Sequence, residues 1–152
     1  MPKKNDFIIV GGGLVGCLAS LILSNKNYSV CLVEKKTFKR IISDDFTPLS
    51  LTINTIQFLK KNNLWDSSYI KATEIKELTV KLFNSFNVMR FCSDDLHGEE
   101  LGSVVDKSSF LSYLRDHCKK SKNINIVDEA DAYIDNVTSP IKLSQTQSKL
   151  TV

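Results

Sequence analysis

The feature that most constrains this chain is a run of three glycines set between two apolar segments of different period. Phe7 to Val10 is a short, wholly apolar run of the kind that forms a parallel strand covered on both faces, and it stops at Gly11, Gly12 and Gly13. Behind the glycines, Leu14, Cys17, Leu18, Leu21 and Ile22 recur at helical spacing. That spacing predicts a helix ending near Asn25 to Asn27, where Asn is the best substitute for glycine in a left-handed cap. Val30 to Val33 is a second apolar run, and it ends at Glu34. Strand, tight turn, helix and strand in that order specify a βαβ unit of a Rossmann-like α/β fold with a parallel sheet.

The spacing inside the turn adds chemistry to the fold. Gly11, Gly13 and Gly16 form G-x-G-x-x-G, in which the first glycine allows the sharp turn, the second lets the backbone approach a pyrophosphate, and the third lets the helix pack closely on the strand. The free N–H groups at the start of the helix, around Leu14 and Val15, then face the negative charge. Glu34 follows roughly 20 residues later, where a carboxylate accepts hydrogen bonds from the hydroxyls of an adenosine ribose and disfavours a 2′-phosphate. Gly11, Gly13, Leu14, Val15, Gly16 and Glu34 are therefore the candidate dinucleotide-binding residues. The motif alone does not separate FAD from NAD.

Composition limits the alternatives. A chain of 152 residues with 42% hydrophobic and 24% charged side chains can bury a single core. The formal charge of +3, from 20 basic and 17 acidic residues, is too weak and too dispersed to argue for nucleic acid. Cys17, Cys31, Cys92 and Cys118 are far apart, with no histidines at ligand spacing, so no metal site is expected and the thiols read as small hydrophobes in a reducing compartment. No segment reaches the roughly 18 consecutive apolar residues of a membrane span; the expectation is a cytoplasmic protein.

Beyond Glu34, the spacing of Ile53, Ile56 and Leu59 predicts a helix from Leu51 to Lys61, with Trp65 and Ile70 packed beneath it. Leu78, Val80 and Leu82 alternate with polar residues, and Val88 to Cys92 follows a turn at Asn84 to Asn87: an inserted β-hairpin. Ser93 to Glu100 reads as an acidic surface loop. Val104 and Val105 form a strand closed by Asp106, and Ser108 or Ser109 caps a helix with Phe110, Leu111, Leu114 and Cys118 on its inner face. Ile124 to Val127 is another strand. Tyr133, Ile134 and Val137 enter one more before Pro140, and the polar stretch from Lys142 onward carries little pattern until Lys149 to Val152, which resembles the start of a strand.

Three segments carry a family resemblance. Asp6 to Gly16 with Cys31-Leu-Val-Glu34 is the first, Leu49 to Leu59 followed by Asn63-Leu-Trp65 the second, and Leu101-Gly-Ser-Val-Val-Asp106 the third. In this order the chain resembles the ubiquinone-biosynthesis flavin hydroxylases, within the aromatic monooxygenases that are similar to p-hydroxybenzoate hydroxylase. The resemblance implies FAD as cofactor, NAD(P)H as a transient reductant, and oxygen transfer to a small aromatic or prenylated phenol. It also implies peripheral contact with a membrane or a quinone-biosynthesis complex, and it assigns Thr47, Ser103 and Val105 to the flavin end of the site.

On this reading residues 1–152 are the N-terminal part of an FAD-binding domain. The βαβ core covers about 5–35, a flavin-side helix about 50–62, the hairpin about 75–92, and a strand and helix about 103–121. The family's later "asp-gly" and "gly-asp" motifs are absent, so the domain is expected to be incomplete and, as it stands, inactive. An NAD-binding dehydrogenase domain and a non-catalytic nucleotide-binding remnant are the competing readings. No catalytic residue is nominated: His97 and His117 read as surface residues, and Asp94, Asp95, Glu99 and Glu100 as a solvated loop.

The family carries an arginine in an "asp-gly-arg" loop where this chain has Asp45-Phe46-Thr47. Thr47→Arg is therefore expected to raise the flavin retained after desalting; equal or lower flavin content would show that the loop does not stand where the resemblance puts it.

Overall fold

The computed structural model describes residues 5–39, 46–84, 86–96, 100–134, 141–145 and 148–150. Two compact units emerge, one formed by Met1–Ile42 with Leu111–Val152 and the other by Ser43–Phe110.

The first unit is built on the strands β1 (Phe7–Val10), β2 (Val30–Val33) and β8 (Ile124–Val127), parallel and in the spatial order β1-β2-β8, with helix α1 (Leu14–Asn25) linking β1 to β2. All four residues of the central β2 are buried, and Cys31 and Val33 pack with Ala130, Ile8 and Val127. The expectation that β1 is covered on both faces needs correction, since Val10 is 61% exposed. Among the described residues β1 pairs only with β2, so an apolar sequence did not make it a central strand. Helix α3 (Lys107–Lys120) supplies Leu111, Leu114 and Cys118 to the core of this unit, and α1 supplies Cys17 and Leu21.

After β8, a turn at Asp128 and Glu129 leads into an antiparallel meander of β9 (Ala130–Ile134), β10 (Ile141–Gln145) and β11 (Ser148–Leu150). The strand expected from Tyr133 and Ile134 is β9, while Val137 lies outside the described residues. β10 carried too little apolar alternation to be read from its polar sequence, while β11 overlaps the strand start read at Lys149.

The second unit holds an antiparallel sheet in the order β3-β7-β4, formed by Pro48–Thr52, Gly102–Asp106 and Ala72–Ile75, together with the hairpin of β5 (Glu77–Lys81) and β6 (Val88–Cys92). The hairpin is where the alternation put it, but all of β5 and most of β6 are exposed. Helix α2 runs over Ile53–Lys61, two residues shorter than its pattern suggested. Leu51 and Thr52 belong to β3 instead, where Leu49 and Leu51 are turned inward and Pro48, Ser50 and Thr52 outward, a period of two. Thr52 is the N-cap, its hydroxyl accepting from the Thr55 N–H. Part of the acidic loop is a single 3₁₀ turn at Ser93–Leu96.

Two helices end by the same device. Asn27 (φ 66°) and Asn63 (φ 57°) take the left-handed conformation just past α1 and α2. Behind them the Tyr28 N–H donates to the Leu23 carbonyl and the Leu64 N–H to the Leu59 carbonyl, closing both helices as Schellman motifs. In α2 this turn buries Leu64 and brings the chain to Trp65, whose ring lies edge-on to Phe110 at 6.4 Å. Ile70 is buried in the same unit.

The cap of α3 is a further correction. Asp106, not Ser108 or Ser109, caps it: one carboxylate oxygen accepts from the Ser109 N–H at 2.8 Å and the other from the Thr47 N–H at 3.0 Å. The Ser109 hydroxyl and these backbone groups hold the Asp106 carboxyl below its ordinary value. A carboxyl depressed by folding contributes stability above its unfolded pKa of about 3.9 and loses it as pH falls through the lower folded value. Asp106→Ala is expected to cost about 1 kcal/mol at neutral pH, and denaturant melts repeated below about pH 4 should show the gap from wild type closing.

Candidate dinucleotide-binding site

The turn between β1 and α1 is tied on its inner side. The Gly11 N–H donates to the Val33 carbonyl at 2.7 Å, the Gly12 N–H to Glu34 Oε2 at 2.5 Å, and the Cys17 N–H to the Gly13 carbonyl at 2.9 Å. Gly11 has φ 105°, a conformation that a side chain rarely tolerates. At Gly16 a Cβ would lie 1.8 Å from the Gly11 carbonyl oxygen, so α1 approaches the turn as closely as backbone allows. Gly13 is different: it is exposed, and a Cβ there would meet nothing within 4 Å.

Gly13 is also the N-cap of α1 and has no side chain with which to cap it. The first-turn amides around Leu14 and Val15 are therefore left for an anion, and Val15 is 80% exposed. These features pass the test for a dinucleotide pyrophosphate, with open space above Gly13 and orphan N–H donors beside it.

Glu34 closes the other side of the turn. Its backbone N–H donates to the Val127 carbonyl and its own carbonyl accepts from the Ala130 N–H, so β8 and β9 fix its position. Besides Gly12, its carboxylate accepts from the Lys36 N–H at 3.0 Å through Oε1. A carboxylate has about four acceptor positions, and each oxygen keeps one for a ribose hydroxyl.

Sequence reasoning missed three residues of this neighbourhood. Gly12 fell between the motif glycines, yet a Cβ there would strike the Phe38 ring at 2.7 Å and Glu34 Oε2 at 3.0 Å. Phe38 stands in the lysine-rich stretch after β2, and it is buried, its N–H held by Asp128 at 2.9 Å. Arg115 looked like one more charge on a helix; it is buried and donates to the Gly12 carbonyl through Nε and Nη2. Only the period of α3, which sets Arg115 among inward-facing residues, hinted at it.

Beneath the turn, Cys17 Sγ donates to the Gly12 carbonyl at 3.5 Å and Cys118 Sγ to the Cys17 carbonyl at 3.7 Å. A hydrogen bond from Cys118, assisted by the Arg115 charge, lowers the Cys17 thiol, and the same bond together with burial raises that of Cys118. Both are fully buried and serve as core.

The remaining candidates lie in the second unit. Thr47 is exposed and bound through its backbone to Asp106 and Lys107. Ser103 and Val105 share one face of β7 and are buried, the Ser103 hydroxyl donating to Glu100 at 2.8 Å. A cavity in this unit is lined, among the described residues, by Glu74, Lys76, Ser93, Asp94 and Glu100. His97 lies outside the described residues, and the ring of His117 packs on Tyr113 at 4.3 Å. Among the described residues no group of His, Cys, Asp and Glu could hold a metal ion, and no helix is long and apolar enough to cross a membrane.

The family described as GIDA, glucose inhibited division protein A, matches residues 6–150. The methylenetetrahydrofolate–tRNA-(uracil-5-)-methyltransferase TrmFO 1 of Mesoplasma florum is 28% identical over 132 residues, covering 87% of this chain and 28% of that protein. The mitochondrial ubiquinone biosynthesis monooxygenase COQ6 of Dictyostelium discoideum is 26% identical over 143 residues, covering 82% and 28%. Among solved structures, p-nitrophenol 4-monooxygenase PnpA from Pseudomonas putida superposes with a TM-score of 0.74 at 16% identity, over 99% of this chain and 39% of that one. The last shows a shared fold, and the chain spans about 28% of the length of the curated relatives it matches.

The glycines make opposite predictions. Gly13→Val should melt close to wild type, because its Cβ meets only open space, and should lose dinucleotide binding. Gly16→Ala should lower the melting temperature, because a backbone oxygen stands in the way, at a cost of about 1–3 kcal/mol. Thermal melts of both variants beside an FAD titration separate the two effects.

Proposed function

The chain belongs to the glucose inhibited division protein A family of FAD-binding domains, and from that premise we propose that it is the N-terminal FAD-binding portion of a flavoprotein hydroxylating an aromatic ring with NAD(P)H and O2. The observation that carries dinucleotide binding is the turn itself: an exposed Gly13 with open space above it, uncapped first-turn amides, and Glu34 bound to the neighbouring peptide; the family match favours FAD as that dinucleotide. The Gly13, Leu14 and Val15 amides would hold the pyrophosphate, and Glu34 the adenosine ribose. Thr47, Ser103 and Val105 would serve the flavin end. Bound FAD supplies the redox chemistry. The chain supplies position, and its Glu34 carboxylate repels the 2′-phosphate of NADP from the ribose subsite.

The hydroxylase reading draws on the second and third sequence segments, which fold as β3 with α2 and as β7, and on the similarity to COQ6. A phenolic, prenylated substrate would bring the protein into peripheral contact with a membrane. A second reading is favoured by the relatives named TrmFO: methyl transfer from methylenetetrahydrofolate to tRNA uracil, which would replace the phenol with a nucleic-acid partner.

Equilibrium titration of the chain should show FAD binding about tenfold or more tighter than NAD+, without substrate-dependent NAD(P)H oxidation. A preference for NAD+ would favour the dehydrogenase alternative. In the protein expressed from its natural reading frame, a prenylated phenol should accelerate NAD(P)H oxidation; methyl transfer from methylenetetrahydrofolate to tRNA, with no response to the phenol, would select the second reading.

A further inference from the structure

We propose that Arg115 is a positioning residue for the dinucleotide, gripping the Gly12 carbonyl from the buried side so that the next N–H in the chain, that of Gly13, is aimed at the pyrophosphate. The inference rests on the FAD-binding reading above. Arg115 lies on the part of α3 that belongs to the first unit, and it is 7% exposed. Nε and Nη2 donate to the Gly12 carbonyl oxygen at 3.1 and 3.0 Å, and Nη1 donates to the Lys39 carbonyl at 3.0 Å. The guanidinium stacks over the Phe38 ring, 4.7 Å from its centroid. Phe38 is itself wedged against Gly12 and anchored by Asp128.

A peptide unit is planar and trans, so the Gly12 carbonyl and the Gly13 N–H belong to one rigid plate and point in opposite directions. Two bonds from a buried guanidinium turn that carbonyl inward. The Gly13 N–H is thereby turned toward the open side, where it makes no hydrogen bond among the described residues. The preceding plate is held as firmly, because the Gly12 N–H is bound to Glu34.

The electrostatics agree with the geometry. Burying a guanidinium is costly unless its charge is met, and Arg115 forms no ion pair with a carboxylate among the described residues. Its partners among the described residues are carbonyls and a ring face, which give each of its three nitrogens a contact without an ion pair. A pyrophosphate on the outer side of the same peptide would add negative charge facing the guanidinium across it. A fork-shaped donor is required for this grip, which a lysine ammonium cannot reproduce.

The test compares ADP with adenosine, each titrated against the full chain as wild type, Arg115→Gln and Arg115→Lys, with melting curves recorded for all three. Adenosine keeps the ribose contact to Glu34 and lacks the phosphates. Wild type should bind ADP, Arg115→Gln should bind it about tenfold or more weaker, and adenosine affinity should change less than about twofold. Arg115→Lys should fall between, because it retains the charge without the grip. If Arg115→Gln does not fold, Arg115→Lys alone decides, through the same contrast of ADP with adenosine. Equal losses for both ligands, or unchanged ADP affinity in folded variants, would overturn the positioning role while leaving the FAD reading intact. A wild-type chain that binds neither FAD nor ADP would overturn both.

Discussion

The Gly12 peptide neighbourhood is the constraint on which the first unit depends. Its N–H is held by the carboxylate of Glu34 at the end of β2, and its carbonyl by the guanidinium of Arg115 on α3. One short stretch of backbone therefore joins the first strand, the second strand and the third helix. Hydrogen bonds to charged groups contribute more than neutral ones, at about 1.5–3 kcal/mol each, and here they act where glycine has the least intrinsic order. A turn of three glycines would be floppy by composition. It is instead tied at the Gly11 and Gly12 N–H groups and at the Gly12 and Gly13 carbonyls.

The same logic explains how the strand following the motif is put to use. Glu34 is fixed by β8 through its N–H and by β9 through its carbonyl, while Thr37 and Phe38 are stitched to Glu129 and Asp128 in the turn between those strands. Glu129 takes a left-handed φ of 53°, a conformation that costs a residue with a Cβ of order 1 kcal/mol. Its carboxylate in return accepts from the Thr37 hydroxyl at 2.6 Å. The stretch after β2, dense in lysine, is thus pinned by acidic residues distant in sequence, with Lys35 paired to Asp131 as well.

In the second unit the organising element is β7. It pairs on both edges, with β3 and β4, and Gly102 sits so close to the Leu51 carbonyl that a Cβ would lie 2.1 Å away. Its last residue, Asp106, both caps α3 and receives the Thr47 N–H.

Local pattern was enough to determine the elements whose causes are local. The four-residue apolar runs at Phe7 and Val30 made strands, the 3.6 period made α1 and α3, Asn27 ended a helix, and the alternation around Val80 and Val88 made a hairpin. The glycine spacing likewise located the turn, because it follows from steric rules that act over a few residues. Tertiary structure alone decided where Leu51 belonged, since its apolar spacing fits either α2 or β3 and only pairing with β7 chose the strand. It made β1 an edge strand among the described residues, although a wholly apolar sequence is also what a central strand shows. It also decided the role of Arg115, because a guanidinium on a helix is solvated unless a distant carbonyl and a ring come to meet it, and no spacing along the chain encodes that Gly12 and Phe38 do.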